Sequence, residues 1–189
     1  MTLAQKVYMM LGNESLWDVA TQCHAILNRV AVPHAIVGGV AVCLHGYQRN
    51  TVDLDLLIGP ESALQTRAAL ELSGFTWSPA EAEFRSPSGI PVQFLTAGDR
   101  AGSGSELRLP DPADKSAIVE IEGLPVVTLA KLIESKIACG EGNLRRTHKD
   151  FADVVELVVI NKLDGSFARH LHKSVRKTFR QLVQQANAG

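Results

Sequence analysis

Cysteine is scarce in this chain, and the spacing of the few present gives them no partners. Cys23, Cys43 and Cys139 are odd in number, far apart and without a Cys-x-x-Cys element. This excludes a disulfide framework and a zinc ribbon and fits a reducing cytoplasm. Long apolar runs are missing too. No segment reaches the roughly 18 uninterrupted apolar residues of a membrane helix, and residues 1–12 hold one lysine and a short apolar run without a small-residue cleavage site. The expectation is a soluble, cytoplasmic protein with no membrane partner. Low-complexity tracts and internal repeats are absent, and 46% apolar content over 189 residues is enough for one sizeable core. No excess of either charge exists, the formal net charge being -1. Local distribution must therefore decide about nucleic acid. The Gly-x-Ser-x-Gly, Walker and Gly-x-Gly-x-x-Gly signatures are lacking, which removes the hydrolase, P-loop and dinucleotide readings. His24, His34, His45, His148, His170 and His172 form no ligand pattern beyond His170-x-His172 and are read as structural or exposed.

What is present reads as alternating helices and strands. Leu16, Val19, Ala20, Cys23, Ile26, Leu27 and Val30 recur at helical spacing after Asn13-Glu14-Ser15, and Pro33 ends the run. Ala35 to Val37 is a short strand stopped by Gly38-Gly39, with a helix following as far as Gly46. Val52 to Ile58 is a second strand ending at Gly59-Pro60, and a helix runs from Glu61 to Ser73. Residues 75–95 suggest hairpins, with Ile90 to Leu95 the best strand, and 97–114 is a Gly-, Ser- and Pro-rich loop. Ile118 to Val127 reads as a strand pair turning at Gly123. Thr128 is placed as the cap of a helix to Cys139 that Gly140 and Gly142 stop. A helix over His148 to Val159 and a helical pair over Ser166 to Ala186 complete the chain. The fold class expected is α+β: a small mixed sheet flanked by helices, with residues 1–127 as its core and 128–189 as a helical C-terminal part packed on it.

Side chains two apart on a strand share a face, so Asp53 and Asp55 point the same way. Two adjacent carboxylates repel unless both stay in water or a cation lies between them, and Mg²⁺ commonly uses one or two carboxylates together with substrate phosphates. Gly38-Gly39, between strand and helix, reads either as a tight turn or as a place where missing Cβ atoms admit a ligand to backbone N–H groups. Arg49, Thr51, Asp53 and Asp55 come within one helix length after it. Phosphate-binding and metal-binding groups are thereby brought together. On the helix after Thr128, Leu129, Leu132, Ile133 and Ile137 form a stripe with Lys136 in its middle and Lys131 opposite. A lysine on an apolar face needs a partner or a cleft. On the next helix the stripe is read as Phe151, Val154, Val155 and Val158, which sets Asp150 at its edge, in the first turn, and Asp153 toward solvent.

Residues 36–58, with Gly38-Gly39, Ala41, Gly46, Arg49, Thr51, Asp53 and Asp55 in order, resemble the signature of nucleotidyltransferases of the DNA polymerase β-like superfamily. Within it the chain looks closest to bacterial abortive-infection AbiE-type toxins and their relatives. Their two later motifs are matched by Leu132 to Lys136 and by Lys149 to Val154. The resemblance implies a Mg²⁺- or Mn²⁺-dependent nucleotidyltransferase acting on an NTP. Asp53 and Asp55 would hold metal, Gly38, Gly39, Arg49 and Thr51 the triphosphate, and Lys136 and Asp150 would complete the catalytic set. It also implies RNA such as tRNA, or a protein, as acceptor, with a possible toxin role and a cognate antitoxin. Alternatives are a small-molecule (antibiotic) nucleotidyltransferase and a catalytically degenerate nucleotide-binding or interaction protein. Two positions depart from the superfamily pattern: Gln93 stands where a third carboxylate is usual, and Val40 where many members have serine.

The charge distribution adds a separate expectation. Residues 165–189 contain Arg169, Lys173, Arg176, Lys177 and Arg180 and no acidic residue, and Arg145, Arg146 and Lys149 form a second basic cluster. The C-terminal helix would turn Val175, Phe179, Leu182 and Val183 inward and its bases outward. That surface is either a solvated helix face or a guide for an RNA backbone.

Overall fold

The computed structural model describes residues 14–187; the stretch 1–12 lies outside them. A long amphipathic helix, α1 (Glu14–Arg29), leads into β1 (His34–Val37), which passes directly into the short helix α2 (Gly38–Leu44). Next come β2 (Leu54–Ile58), a 3₁₀ turn over Pro60–Ser62 and α3 (Ala63–Leu72). Three strands are next, β3 (Thr76–Ser78), β4 (Glu83–Arg85) and β5 (Pro91–Thr96), then the hairpin β6 (Ile118–Ile121) and β7 (Leu124–Val127). The chain closes with α4 (Leu129–Gly142), α5 (Leu144–Ile160), two 3₁₀ segments over Gly165–His170 and Lys173–Val175, and α6 (Arg176–Ala186).

All seven strands form one mixed sheet in the order β3-β4-β5-β2-β1-β7-β6. Central β1 pairs antiparallel with β2 and parallel with β7, and β2 pairs parallel with β5. The middle strands are covered on both sides, so β1 is buried throughout and Leu54, Leu56, Leu57 and Ile58 of β2 are buried. Asp55 alone within β2 is not fully buried. Helix α1 packs against β2, β7 and α3, whereas α2 packs against β1, β2 and α4, and α5 lies on α4. Val175, Phe179, Leu182 and Val183 are buried, which fits α6 to α5 as the helical spacing requires. The architecture is the expected one, a mixed sheet flanked by helices with a helical C-terminal extension.

Several local readings need correction. Helix α4 does not stop at Gly140: that glycine is buried inside the helix, where a Cβ would sit 2.5 Å from Phe151 Cε1 on α5. It is a contact point between two helices rather than a terminator. The hydroxyl of Thr128 makes no capping bond, and only its carbonyl enters the helix, accepting from Leu132 N at 2.9 Å. Helix α5 begins at Leu144, with Asn143 Oδ1 accepting from Arg145 N at 3.0 Å as the cap. Asp150 is thus in the second turn, not the first.

Candidate functional site

The site gathers on the sheet face that α4 covers, where β1 runs into α2. Gly38 adopts φ +63°, a conformation that costs an L-residue with a Cβ roughly 1–2 kcal/mol. A Cβ there would also lie 1.9 Å from Asp55 Oδ2, and one at Gly39 would lie 2.3 Å from Thr51 Oγ1. The glycine pair therefore makes room for the chain's own Asp55 and Thr51 besides any ligand. Thr51 Oγ1 donates to Asp53 Oδ1 at 3.0 Å, which fixes the first aspartate just ahead of β2.

Asp55 is the electrostatically strained member. Burial pushes its carboxyl up to about 6, the neighbouring Asp53 charge adds to the rise, and Lys136, Arg146 and Lys149 pull it back. Strand β2 begins at Leu54 rather than Val52, so Asp53 lies outside it and is set beside Asp55 by the loop and its Thr51 bond, not by strand alternation; the two charges nevertheless act on one another. Asp55 lines a cleft of about 140 Å³ together with Gly38, Gln93, Lys136, Arg146 and Asp150. Helix geometry delivers the lysine: Lys136 is buried among Leu132, Ile133 and Ile137, while Lys131 stays near the surface paired with Glu134 at 2.9 Å.

Behind the cleft runs a chain of alternating charges. Lys136 Nζ donates to Asp150 Oδ1 at 2.9 Å and lies 2.7 Å from Asp153 Oδ2. Arg49 grips Asp153 with both arms, Nε to Oδ1 at 2.6 Å and Nη2 to Oδ2 at 3.0 Å, and its Nη1 donates to Asn50 O. Arg146 Nε stands 3.3 Å from Asp150 Oδ2, close enough for an ion pair but not aligned for a hydrogen bond. The apolar stripe predicts Asp153 toward solvent, yet it is 1% exposed and ties the loop that carries Arg49 to α5 and, through Lys136, to α4. A stripe through Phe151 and Val155 is turned by about one residue from the one observed. The buried column of α5 is Asp150, Asp153, Val154, Leu157 and Val158. The spacing of the two aspartates, three apart in line with Val154 and Leu157, is the signal that could have revealed the pair.

Of the site residues read from sequence, Gly38, Asp55, Lys136 and Asp150 line this cleft and Arg49 belongs to the charge chain behind it, while Gly39, Thr51 and Asp53 adjoin them through the close approach of Gly39 to Thr51 and the Thr51–Asp53 hydrogen bond. The histidines stay out of it. His24 bonds His34 at 2.9 Å, and His45 Nε2 meets Val127 O at 2.8 Å.

No protein-family model matches the sequence, and no curated protein matches it. Solved structures do match. A Thermotoga maritima protein assigned to the nucleotidyltransferases aligns over 74% of this chain and 93% of its own, at TM-score 0.53 and 19% identity. The crystal structure of ANT(2″)-Ia with adenylyl-2″-tobramycin aligns over 92% and 99%, at TM-score 0.51 and 14% identity. The solution structure of the antibiotic-resistance factor ANT(2″)-Ia aligns over 92% and 94%, at TM-score 0.52 and 13% identity. This is the nucleotidyltransferase fold.

In this nucleotidyltransferase fold the donor set can be tested against a divalent cation. Among the described residues no cluster of three or more His, Cys, Asp or Glu side chains forms a complete cage. The donors are a pair, Asp55 in the cleft and Asp53, whose charge acts on it, just ahead of β2. That suits Mg²⁺, which takes few protein carboxylates and completes its shell with water and substrate phosphates. Burial first and the Asp53 charge second lift Asp55, and a cation between the two would offset both. The pair fits. Sequence reasoning missed Asp153, Arg146 at the cleft wall, and Glu83 of β4, a buried carboxylate bonded to Gln93.

Proposed function

We propose that this protein transfers a nucleotidyl group from an NTP to an acceptor hydroxyl with the help of Mg²⁺ or Mn²⁺. The observation that carries the reading is Asp55, coupled to Asp53, in a cleft that also holds Gly38 and a buried lysine, Lys136. Asp53 and Asp55 would hold the metal, which when bound offsets developing charge on the attacking and leaving oxygens. The backbone at Gly38 and Gly39 receives the triphosphate. Lys136 has three N–H donors, of which Asp150 and Asp153 engage two, leaving one for phosphate oxygen. Arg49 is committed to Asp153, so it and Thr51 act by fixing the loop and Asp53. Exposed Arg146 supplies positive charge at the cleft wall. In the reaction a new bond forms between the acceptor oxygen and the α-phosphorus, the bond from that phosphorus to the oxygen bridging to the β-phosphate breaks, and the hydroxyl proton and pyrophosphate depart.

For the acceptor, the surface favours a polyanion. Arg146 lines the cleft, the charge of Lys149 reaches Asp55, and both are exposed on α5 together with Arg145, an arrangement that attracts an RNA backbone and repels a polyamine. This supports RNA, in line with a toxin that an antitoxin would neutralise. The second reading, a small hydroxylated compound, is favoured by the likeness to ANT(2″)-Ia over 92% of the chain. Labelled NTPs incubated with the protein, Mg²⁺ and either total RNA or a panel of hydroxylated antibiotics separate the two. Label should move into RNA, and Asp55→Asn should stop it. Transfer to the small compounds alone would select the second reading, and no transfer with tight NTP binding would mark a degenerate enzyme.

A further inference from the structure

Strand β5 runs parallel to β2 in the register that sets Gln93 beside Asp55, and both side chains line the cleft. On its other side Gln93 meets Glu83 of β4, to whose Oε2 its Nε2 donates at 3.1 Å. Glu83 is 6% exposed and is held in turn by Arg85, whose Nη2 lies 2.6 Å from Oε1. A carboxylate paired with a guanidinium can only accept hydrogen bonds. The amide nitrogen of Gln93 is therefore the end that must face Glu83. Its carbonyl oxygen is left as the acceptor for the cleft.

We infer that Gln93 is a neutral oxygen donor to the divalent cation at Asp53 and Asp55, and that Glu83 is a positioning residue that keeps the Gln93 amide turned oxygen-first toward it. The inference rests on the metal-binding reading given under Proposed function. Its chemistry is ordinary: amide carbonyls are hard donors of the kind that Mg²⁺ and Mn²⁺ accept. A carboxylate in place of Gln93 would crowd a third negative charge against Asp55 and a fourth at Glu83. The amide avoids that repulsion, and the buried Glu83, paired with Arg85, supplies a fixed orientation that an exposed glutamine lacks.

Mn²⁺ binding to the full-length chain, followed by electron paramagnetic resonance of free Mn²⁺, tests this without any turnover. Asp53→Asn reports on the site itself and should abolish binding. Gln93→Leu should weaken Mn²⁺ about tenfold, and Glu83→Gln should weaken it by a similar factor, because a glutamine at 83 can also donate and so lets the Gln93 amide flip. In the Gln93→Leu background, Glu83→Gln should have almost no further effect, since a residue that acts only through Gln93 has nothing left to position. An effect of Glu83→Gln that persists in that background would make Glu83 merely structural and overturn its role. Loss of binding in Asp53→Asn with Gln93→Leu unchanged would overturn the inference and leave the carboxylate site standing. Binding unchanged in Asp53→Asn would overturn both. Gln93 is exposed, so its variant keeps the test open even if the buried Glu83 variant fails to fold.

Discussion

Gly38 carries two demands at one position, a left-handed backbone and the absence of any atom where Asp55 Oδ2 lies 1.9 Å from an added Cβ. Gly38→Ala should therefore cost more than the roughly 1–2 kcal/mol of the backbone alone, measured by urea unfolding. Asp55 makes a second prediction. Its folded carboxyl titrates at about 6 against an ordinary 3.8, so the folded state binds the proton more tightly than the unfolded one. The stability it contributes is fully present below pH 3.8 and is lost as pH rises through about 6. Asp55→Asn should accordingly unfold at a higher temperature than the parent at neutral pH, with the gain vanishing in acid. Mg²⁺ should raise the parent's melting temperature mainly above pH 6. At Asp153 the expectation runs the other way. Asp153→Asn leaves Arg49 and Lys136 short of a buried countercharge, which costs on the order of 3–5 kcal/mol. Calorimetry that finds the variant as stable as the parent would remove Asp153 from the framework.

At the scale of elements, α4 and α5 decide the site, and Gly140 decides how closely they meet. Gly140→Ala would bring a Cβ to 2.5 Å from the Phe151 ring and should destabilise by about 1–3 kcal/mol. Adding Phe151→Leu, which shortens the obstructing side chain, should return part of the loss in the same unfolding assay. These two helices also show what is legible in the sequence. Apolar spacing places α1, β1, α4 and the inward turn of Lys136 correctly, because the stripe of Leu132, Ile133 and Ile137 is buried and brackets the lysine even though Glu134 is buried beside it, whereas β2 starts two residues later than its apolar run suggests. On α5 the buried column contains Asp150 and Asp153, and a pattern built from apolar residues alone rotates away from them. The glycine spacing fails for a related reason: local chemistry marks Gly140 as a stop, whereas packing against Phe151 needs it inside the helix. Glu83 stays hidden because its partner Gln93 is ten residues away and meets it only through sheet pairing.

For the whole molecule, a nearly neutral chain keeps much of its positive charge on its C-terminal part. Lys173, Lys177 and Arg180 are exposed on the C-terminal segment, and Arg145 and Arg146 are exposed on α5. Arg176, by contrast, is turned back to cap Leu171 O and Arg169 O. Charge reversal of Lys177 and Arg180 should weaken RNA binding about tenfold and flatten its salt dependence, while NTP binding stays unchanged. Filter binding at several salt concentrations checks both. The sheet order and the course of β1 into α2 bring together residues from positions 38 to 153, and the likeness to solved nucleotidyltransferases covers most of the chain. From that convergence we propose, centrally, that Asp53 and Asp55 would act as one metal-dependent nucleotide site. Calorimetric titration of an NTP into the parent and into the Asp53→Asn/Asp55→Asn double variant, with Mg²⁺ and with a chelator, measures it. The parent should bind only with Mg²⁺ and the folded double variant not at all; equal, Mg²⁺-dependent binding by both would contradict the account.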